Sequence, residues 1–283
     1  MTAGLIDFNK RGDDDQPSPS VWASCPRTLL NDLGLGSYVH NAFLGDTATL
    51  PGMLDESTGT GTFDYAGDER HLRMGTAAAD NDSNLIFTRP LGRIVRNAGE
   101  NHRLWYEARV APVALDDRAM FFGFAEPDMV ADGGSLLADD PSNSDQAGLE
   151  NGSLIGFVSR QVGSEARKLD LVIRKDDGSV QTILEDVTNA SALNAQRHPG
   201  GEVQADLRGD LAAGEFIKLG LAYLGNLNQV RAYVKGVEVA RIDVDPSIDQ
   251  ATAYAPVVAL HSGSASAKSL DVDFFRAASQ VRT

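Results

Sequence analysis

Between Phe216 and Ala278 hydrophobic and polar positions alternate more regularly than anywhere else in the chain. Val230, Ala232 and Val234 alternate with Arg231, Tyr233 and Lys235, and beyond Lys235-Gly236 the rhythm resumes with Val237 and Val239 set against Glu238 and Ala240. A period of two sends successive side chains to opposite faces, which predicts a two-stranded antiparallel unit with one buried face. Lys-Gly provides the turn, because a tight hairpin needs positive φ and glycine adopts it freely. Leu270, Val272 and Phe274 then form an apolar face against Asp271 and Asp273. They predict a last strand laid over a core that earlier strands have begun.

Upstream, LWYEARV places Leu104, Tyr106, Ala108 and Val110 on one face and Trp105, Glu107 and Arg109 on the other. The run from Ala119 to Glu126 is almost continuously apolar, as expected of a strand covered on both sides, and Gly123 inside it predicts a bulge or a close backbone approach. Ser153 to Arg160, Leu169 to Lys175 and Val180 to Val187 add three more strands, the last two joined by an Asp-Asp-Gly turn. Tyr38 to Phe43, Arg70 to Met74 and Leu85 to Arg89 are shorter candidates separated by glycine-rich joins. With no long helical pattern, this predicts an all-β antiparallel two-sheet sandwich over residues 38–283, interrupted by long loops at 127–152 and 188–214. Residues 1–37 differ. Asp13, Asp14 and Asp15, then Pro17, Ser18, Pro19 and Ser20, favour an extended N-terminal arm, with one short helix over Arg27 to Leu35. Leu5, Ile6, Phe8, Val21 and Trp22 are sticky residues that a solvated tail does not need.

Composition narrows the classes of function. A chain of 283 residues with a net charge of −15 lacks the clustered cations that nucleic acid requires, so no nucleic-acid partner is expected. No apolar run is long enough to span a membrane as a helix, and no secretory leader is visible at the N-terminus. One cysteine, Cys25, excludes an intrachain disulfide.

Candidate chemistry is sparse. His40, His71, His102, His198 and His261 are scattered without a metal-binding spacing. Asp80, Asp82 and Asn84 fall at alternate positions, as in some calcium loops, but Leu85 stands where such a loop needs glycine and Leu91 where it needs glutamate. They read as a polar turn. No nucleophile motif or phosphate loop is present, and Asp271 with Asp273, the best-spaced carboxylates for glycoside hydrolysis, look like the wet side of an edge strand. The expectation is therefore no enzyme, no catalytic residue, no metal and no cofactor. Trp105, Tyr233 and Tyr254 are the candidates for stacking on a glycan.

The succession LWYEARV, GFAE, LIGFVSR, FIKLGLAY, VRAYVKGVEVA and VVALHSGSASAKSLDVDFFRAA resembles the concanavalin A-like jelly-roll module of virion structural proteins in tailed bacteriophages. The resemblance covers residues 38–278 and leaves the arm outside. It implies a jelly-roll β-sandwich, and a capsid decoration, or cement, protein on the outer surface of the virion, bound to the major capsid protein. Some relatives bind glycans, which makes a lectin-like module on a tail or head fibre the alternative. Others hydrolyse glycans with an ExDxE strand, a motif this chain lacks. On this reading Leu5, Ile6, Phe8, Val21 and Trp22 contact the capsid or a sister subunit, and a homotrimer is the expected assembly.

Overall fold

The computed structural model describes residues 18–26, 36–41, 54–57, 61–65, 71–78, 82–97, 102–116, 118–127, 152–159, 168–175, 180–187 and 211–281. Strands are numbered in chain order among these residues. Sheet I runs in the order β14 (Val237–Asp243), β13 (Gln229–Val234), β12 (Ile217–Leu224), β7 (His102–Pro112), β16 (Ser269–Val281), β4 (Leu72–Gly75) and β3 (Thr62–Tyr65), with β1 (Ser37–Asn41) also paired to β16. Sheet II runs β11 (Gln181–Leu184), β10 (Leu169–Arg174), β9 (Leu154–Ser159), β8 (Arg118–Ala125), β15 (Ala253–Ser262), β5 (Ser83–Phe87) and β2 (Leu54–Ser57), with β6 (Gly92–Arg93) on β15. Every pairing is antiparallel. The all-β antiparallel two-sheet sandwich expected from the alternation is the architecture observed. One helical turn, α1 (Pro19–Trp22), precedes it.

The core lies between the sheets and is built by the alternation itself. Leu104, Tyr106, Ala108 and Val110 of β7 meet Met120, Phe122 and Phe124 of β8 and Ile155 and Phe157 of β9. Tyr106 stands at the centre, 5.8 Å from the Phe124 ring and 5.7 Å from the Phe275 ring, and its hydroxyl donates to the Val257 carbonyl at 3.1 Å. A buried aromatic of this kind needs a partner for its polar end, and the neighbouring sheet supplies one. The β13–β14 turn is the one anticipated: Lys235 and Gly236 have φ of 48° and 74°, both positive as a two-residue hairpin of matching twist requires.

Two bulges correct the simple alternation. Between Val272 and Phe274 the β16 register against β7 slips, so Phe275 and Ala277 enter the core while Phe274 is carried to the outer face beneath Arg276. Between Ala232 and Tyr233 the register with β14 slips as well, which brings Ala240 into the core beside Val239. Each inserts one residue and reverses the parity beyond it. Nor is β16 an edge strand: it lies between β7 and the pair β1 and β4, and Asp271 is buried rather than wet. The stretch from Leu50 to Glu69, expected to be a join, contributes both β2 and β3. The short helix at 27–35 and nearly all of both long loops lie outside the described residues.

Candidate functional site

The outer face of sheet I carries the polar residues that alternation assigned to it. Arg73 donates two hydrogen bonds to Asp271, at 2.7 and 2.8 Å, and His71 Nε2 lies 3.3 Å from the same carboxylate. Arg109 binds Asp273 at 2.8 Å and stacks over Phe216. Arg231 and Arg241 both reach Glu238. Apart from Arg241 and Glu238, which share β14, these are cross-strand pairs of opposite charge, the sheet counterpart of spaced pairs on a helix.

Between the ladders lies an apolar strip formed by Trp105, Ala222, Tyr233 and Ala278, and residues Ser18–Pro26 lie across it. Val21 fits over Gly220, where a Cβ would come within 2.8 Å of the valine Cγ2. The absence of a side chain at Gly220 is thus the notch that receives the segment. Trp22 packs edge-on to Tyr38 with centroids 6.3 Å apart. At the middle of the strip stands Glu107, only 1% exposed. Its carboxylate accepts from the Ser18 backbone N–H at 3.0 and 3.1 Å and from the Trp22 indole at 2.8 Å. Ser24 accepts from Trp105 at 3.1 Å and, through its carbonyl, from Arg103 at 2.9 Å, and Ser20 donates to the Gly236 carbonyl.

Burial sets the electrostatics here. It pushes the Glu107 carboxyl above its ordinary value, against the hydrogen bonds from Ser18 and Trp22 and the Arg276 charge, which act the other way. It pushes the Cys25 thiol up to about 12, with Arg103 opposing, and the Tyr38 hydroxyl up to about 12, with Arg276 opposing. Arg276 sits directly across from Glu107 in the β7–β16 register and stacks on Phe274 at 4.3 Å. Its Nε and Nη1 are buried with no hydrogen-bond partner among the described residues.

The outer face of sheet II is different in kind. Leu85, Ala119, Phe121, Ala125, Leu154, Val158, Val172, Val257 and Ala259 form a second apolar cluster there, all buried. Gly123 and Gly156 are cross-strand partners in its centre, and a Cβ on Gly123 would come within 2.4 Å of the Ile155 carbonyl oxygen. The close backbone approach expected at Gly123 is present. At one end Ser83 Oγ and His261 Nδ1 lie 2.6 Å apart, both buried.

Of the residues singled out from the sequence, Val21 and Trp22 are buried on the chain's own sheet, and Leu5, Ile6 and Phe8 lie outside the described residues. Trp105, Tyr233 and Tyr254 are all buried as well, so none offers a ring face to solvent. Trp105 lies on the outer face as its parity required, but the N-terminal segment covers it. Tyr254 points into the core and donates its hydroxyl to the Asp249 carbonyl at 2.9 Å. Of the histidines, His71 and His261 have the neighbours given above, His102 is held below its ordinary value by burial, the side chain of His40 is not among those described, and His198 lies outside the described residues. Among the described residues, no three His, Cys, Asp or Glu side chains converge as metal ligands, and no helix is long and apolar enough to cross a membrane. Glu107 and Arg276 are the functional candidates that the sequence did not single out. Their one signal was a charged residue in each of two apolar strands, and the register that brings them together joins positions 169 residues apart.

No protein-family model and no curated protein matches the chain. Among solved structures, the carbohydrate recognition domain of Emp47p is similar over 88% of this chain and 99% of its own, at 11% identity and a TM-score of 0.51. A Bacteroides ovatus GH16 protein from a mixed linkage glucan locus, in complex with a G4G4G3G product, is similar over 84% of this chain and 99% of its own, at 10% identity and a TM-score of 0.50. At such identities the likeness is one of fold. The fold is the concanavalin A-like jelly roll of lectins and glucanases, which the strand order had suggested. Because binding proteins and enzymes share it, the fold by itself assigns no activity.

Proposed function

We propose that the chain is a non-enzymatic structural protein of a phage virion, a decoration protein that attaches to the major capsid protein on the outer shell through its N-terminal stretch. The observation that carries this reading is the anchor on Glu107. Residues 18–26 are built into the rigid sheet, so the peptide ahead of them, with Leu5, Ile6 and Phe8, starts from a fixed base. An anchored base reduces the entropy lost when a sticky peptide engages a partner. The acidic surface charge and the strand-order resemblance support the same assignment. Repetition of capsid sites around a symmetry axis makes a trimer, assembled on the shell rather than in free solution, the assembly to test first.

The experiment is addition of purified protein to particles stripped of it, followed by sedimentation and cryo-electron microscopy. Full-length protein is expected to bind at symmetry-matched positions, and a variant lacking residues 1–17 to keep its melting temperature and lose binding. Equal binding by the truncated protein would refute the arm as the attachment element. Failure of both proteins to bind would refute the capsid assignment and move attention to glycans, for which surfaces other than Trp105, Tyr233 and Tyr254 are required.

A further inference from the structure

The Glu107 carboxylate faces the N-terminal segment on one side and Arg276 across the ladder, and its hydrogen bonds go to the segment. Ser18 and Trp22 now donate to it from the N-terminal segment. Directly across the β7–β16 ladder, Arg276 holds two buried N–H-bearing nitrogens, Nε and Nη1, without a hydrogen-bond partner among the described residues. A buried guanidinium left in that state is costly, and opposite charges on directly facing strand positions are within reach of each other. A carboxylate relieved of Ser18 and Trp22 would have a charge-assisted partner in Arg276 directly across the ladder.

We infer that residues 18–26 are an exchangeable plug, and that the socket formed by Gly220, Glu107, Trp105 and Tyr233 accepts the same segment from a second copy of this chain. The contacts that seat the plug are the same whichever copy supplies it, as in any swapped element. Positions 27–35 separate the plug from the residue preceding β1, and a link of this length reaches ~30 Å at full extension. Within one copy the plug's own socket has the advantage of effective concentration, whereas in a dense array neighbouring sockets compete. This inference shares with the proposed function the N-terminal stretch as an assembly element. It requires no particle, so the two fail separately.

The test uses full-length chains in which plug and socket are spoiled in different copies. Gly220→Val fills the notch and leaves the plug intact. Val21→Asp with Trp22→Ala places a carboxylate beside Glu107, removes the indole donor and leaves the socket intact. Each protein alone is expected to be monomeric by native mass spectrometry. Their mixture, in which no copy has a matched plug and socket of its own, is expected to form a one-to-one heterodimer. A mixture that stays monomeric at the highest soluble concentration overturns the inference. Because Gly220→Val could fail to fold, a fluorescent peptide of residues 18–26 is titrated in parallel into the Val21→Asp/Trp22→Ala chain. Saturable binding that weakens at least ~10-fold on adding Glu107→Gln is expected, from loss of the charged acceptor. No saturable binding, or binding indifferent to Glu107→Gln, overturns it.

Discussion

The two sheets share one core, yet they solve the problem of their outer faces by different means. Sheet I pairs opposite charges in ladders and closes its remaining apolar strip with a peptide fastened to a single buried carboxylate. Sheet II buries a continuous apolar cluster around two facing glycines. Directional hydrogen bonds demand one particular occupant, whereas apolar area accepts any surface that fits. The face closed by polar contacts selects its covering segment by hydrogen bonding, and the apolar face with its facing glycines is the one that tolerates no change of shape.

The largest effect expected from this contrast is in the reactivity of Cys25. With its thiol pushed up to about 12, little thiolate is present near pH 8, and labelling by a maleimide should be at least ~10-fold slower than in the unfolded chain, the lost thiolate outweighing its higher intrinsic nucleophilicity. Val21→Asp/Trp22→Ala should restore most of that rate, while a change on sheet II should not. Fast labelling of the native protein would show that the plug does not seal the strip.

Next in size is Gly123→Ala. Its Cβ would meet backbone, the Ile155 carbonyl oxygen, rather than a side chain able to turn away. A loss of about 3 kcal/mol in urea unfolding is expected. A loss under about 1 kcal/mol would mean that sheet II is as adaptable as sheet I.

Glu107→Gln should cost about 2 kcal/mol through its hydrogen bonds to the plug. The pH dependence sharpens the point. Because the folded-state value of Glu107 lies above the ordinary 4.5, its ionisation opposes folding: the contribution is most favourable below 4.5 and is lost as pH rises through the higher folded value. Subtracting the Glu107→Gln profile from that of wild type between pH 4 and 7 should leave this downward slope, and a flat difference would remove Glu107 from the account. The smallest effect is expected for Arg73→Ala, about 0.5 kcal/mol by thermal unfolding, since its side chain is 41% exposed and water screens the pair with Asp271.

Much of this fold was legible because a sandwich rewards strict alternation. Leu104, Tyr106, Ala108 and Val110 had to face the core, and Trp105, Glu107 and Arg109 had to face away. Lys235-Gly236 announced its turn through local backbone geometry alone. What failed was parity beyond a bulge: nothing at Val272-Asp273-Phe274 marks the extra residue that sends Phe275 inward, because the bulge answers to the partner strand. The socket was hidden for the same reason. Glu107, Arg276, Gly220 and Val21 are distant in sequence, and only the registers of β7, β12 and β16 assemble them. Trp105 was legible as an outward residue but not as a covered one, since the covering segment follows an aspartate run and carries Pro19, the signals of an extended arm.

The position of β16 has a consequence for biogenesis. It is the last strand in chain order, yet it is inserted between β7 and the pair β1 and β4. As the chain leaves the ribosome, sheet I remains in two pieces with unsatisfied edges until residues 269–281 emerge, whereas every described strand of sheet II, β15 included, precedes them. Closing pairs as distant as Tyr38 and Ala278 requires nearly the whole polypeptide to be searched at once. Completion of sheet I therefore waits for β16, and a chain cut short before Ser269 would present open strand edges to any neighbour, the usual starting point for aggregation.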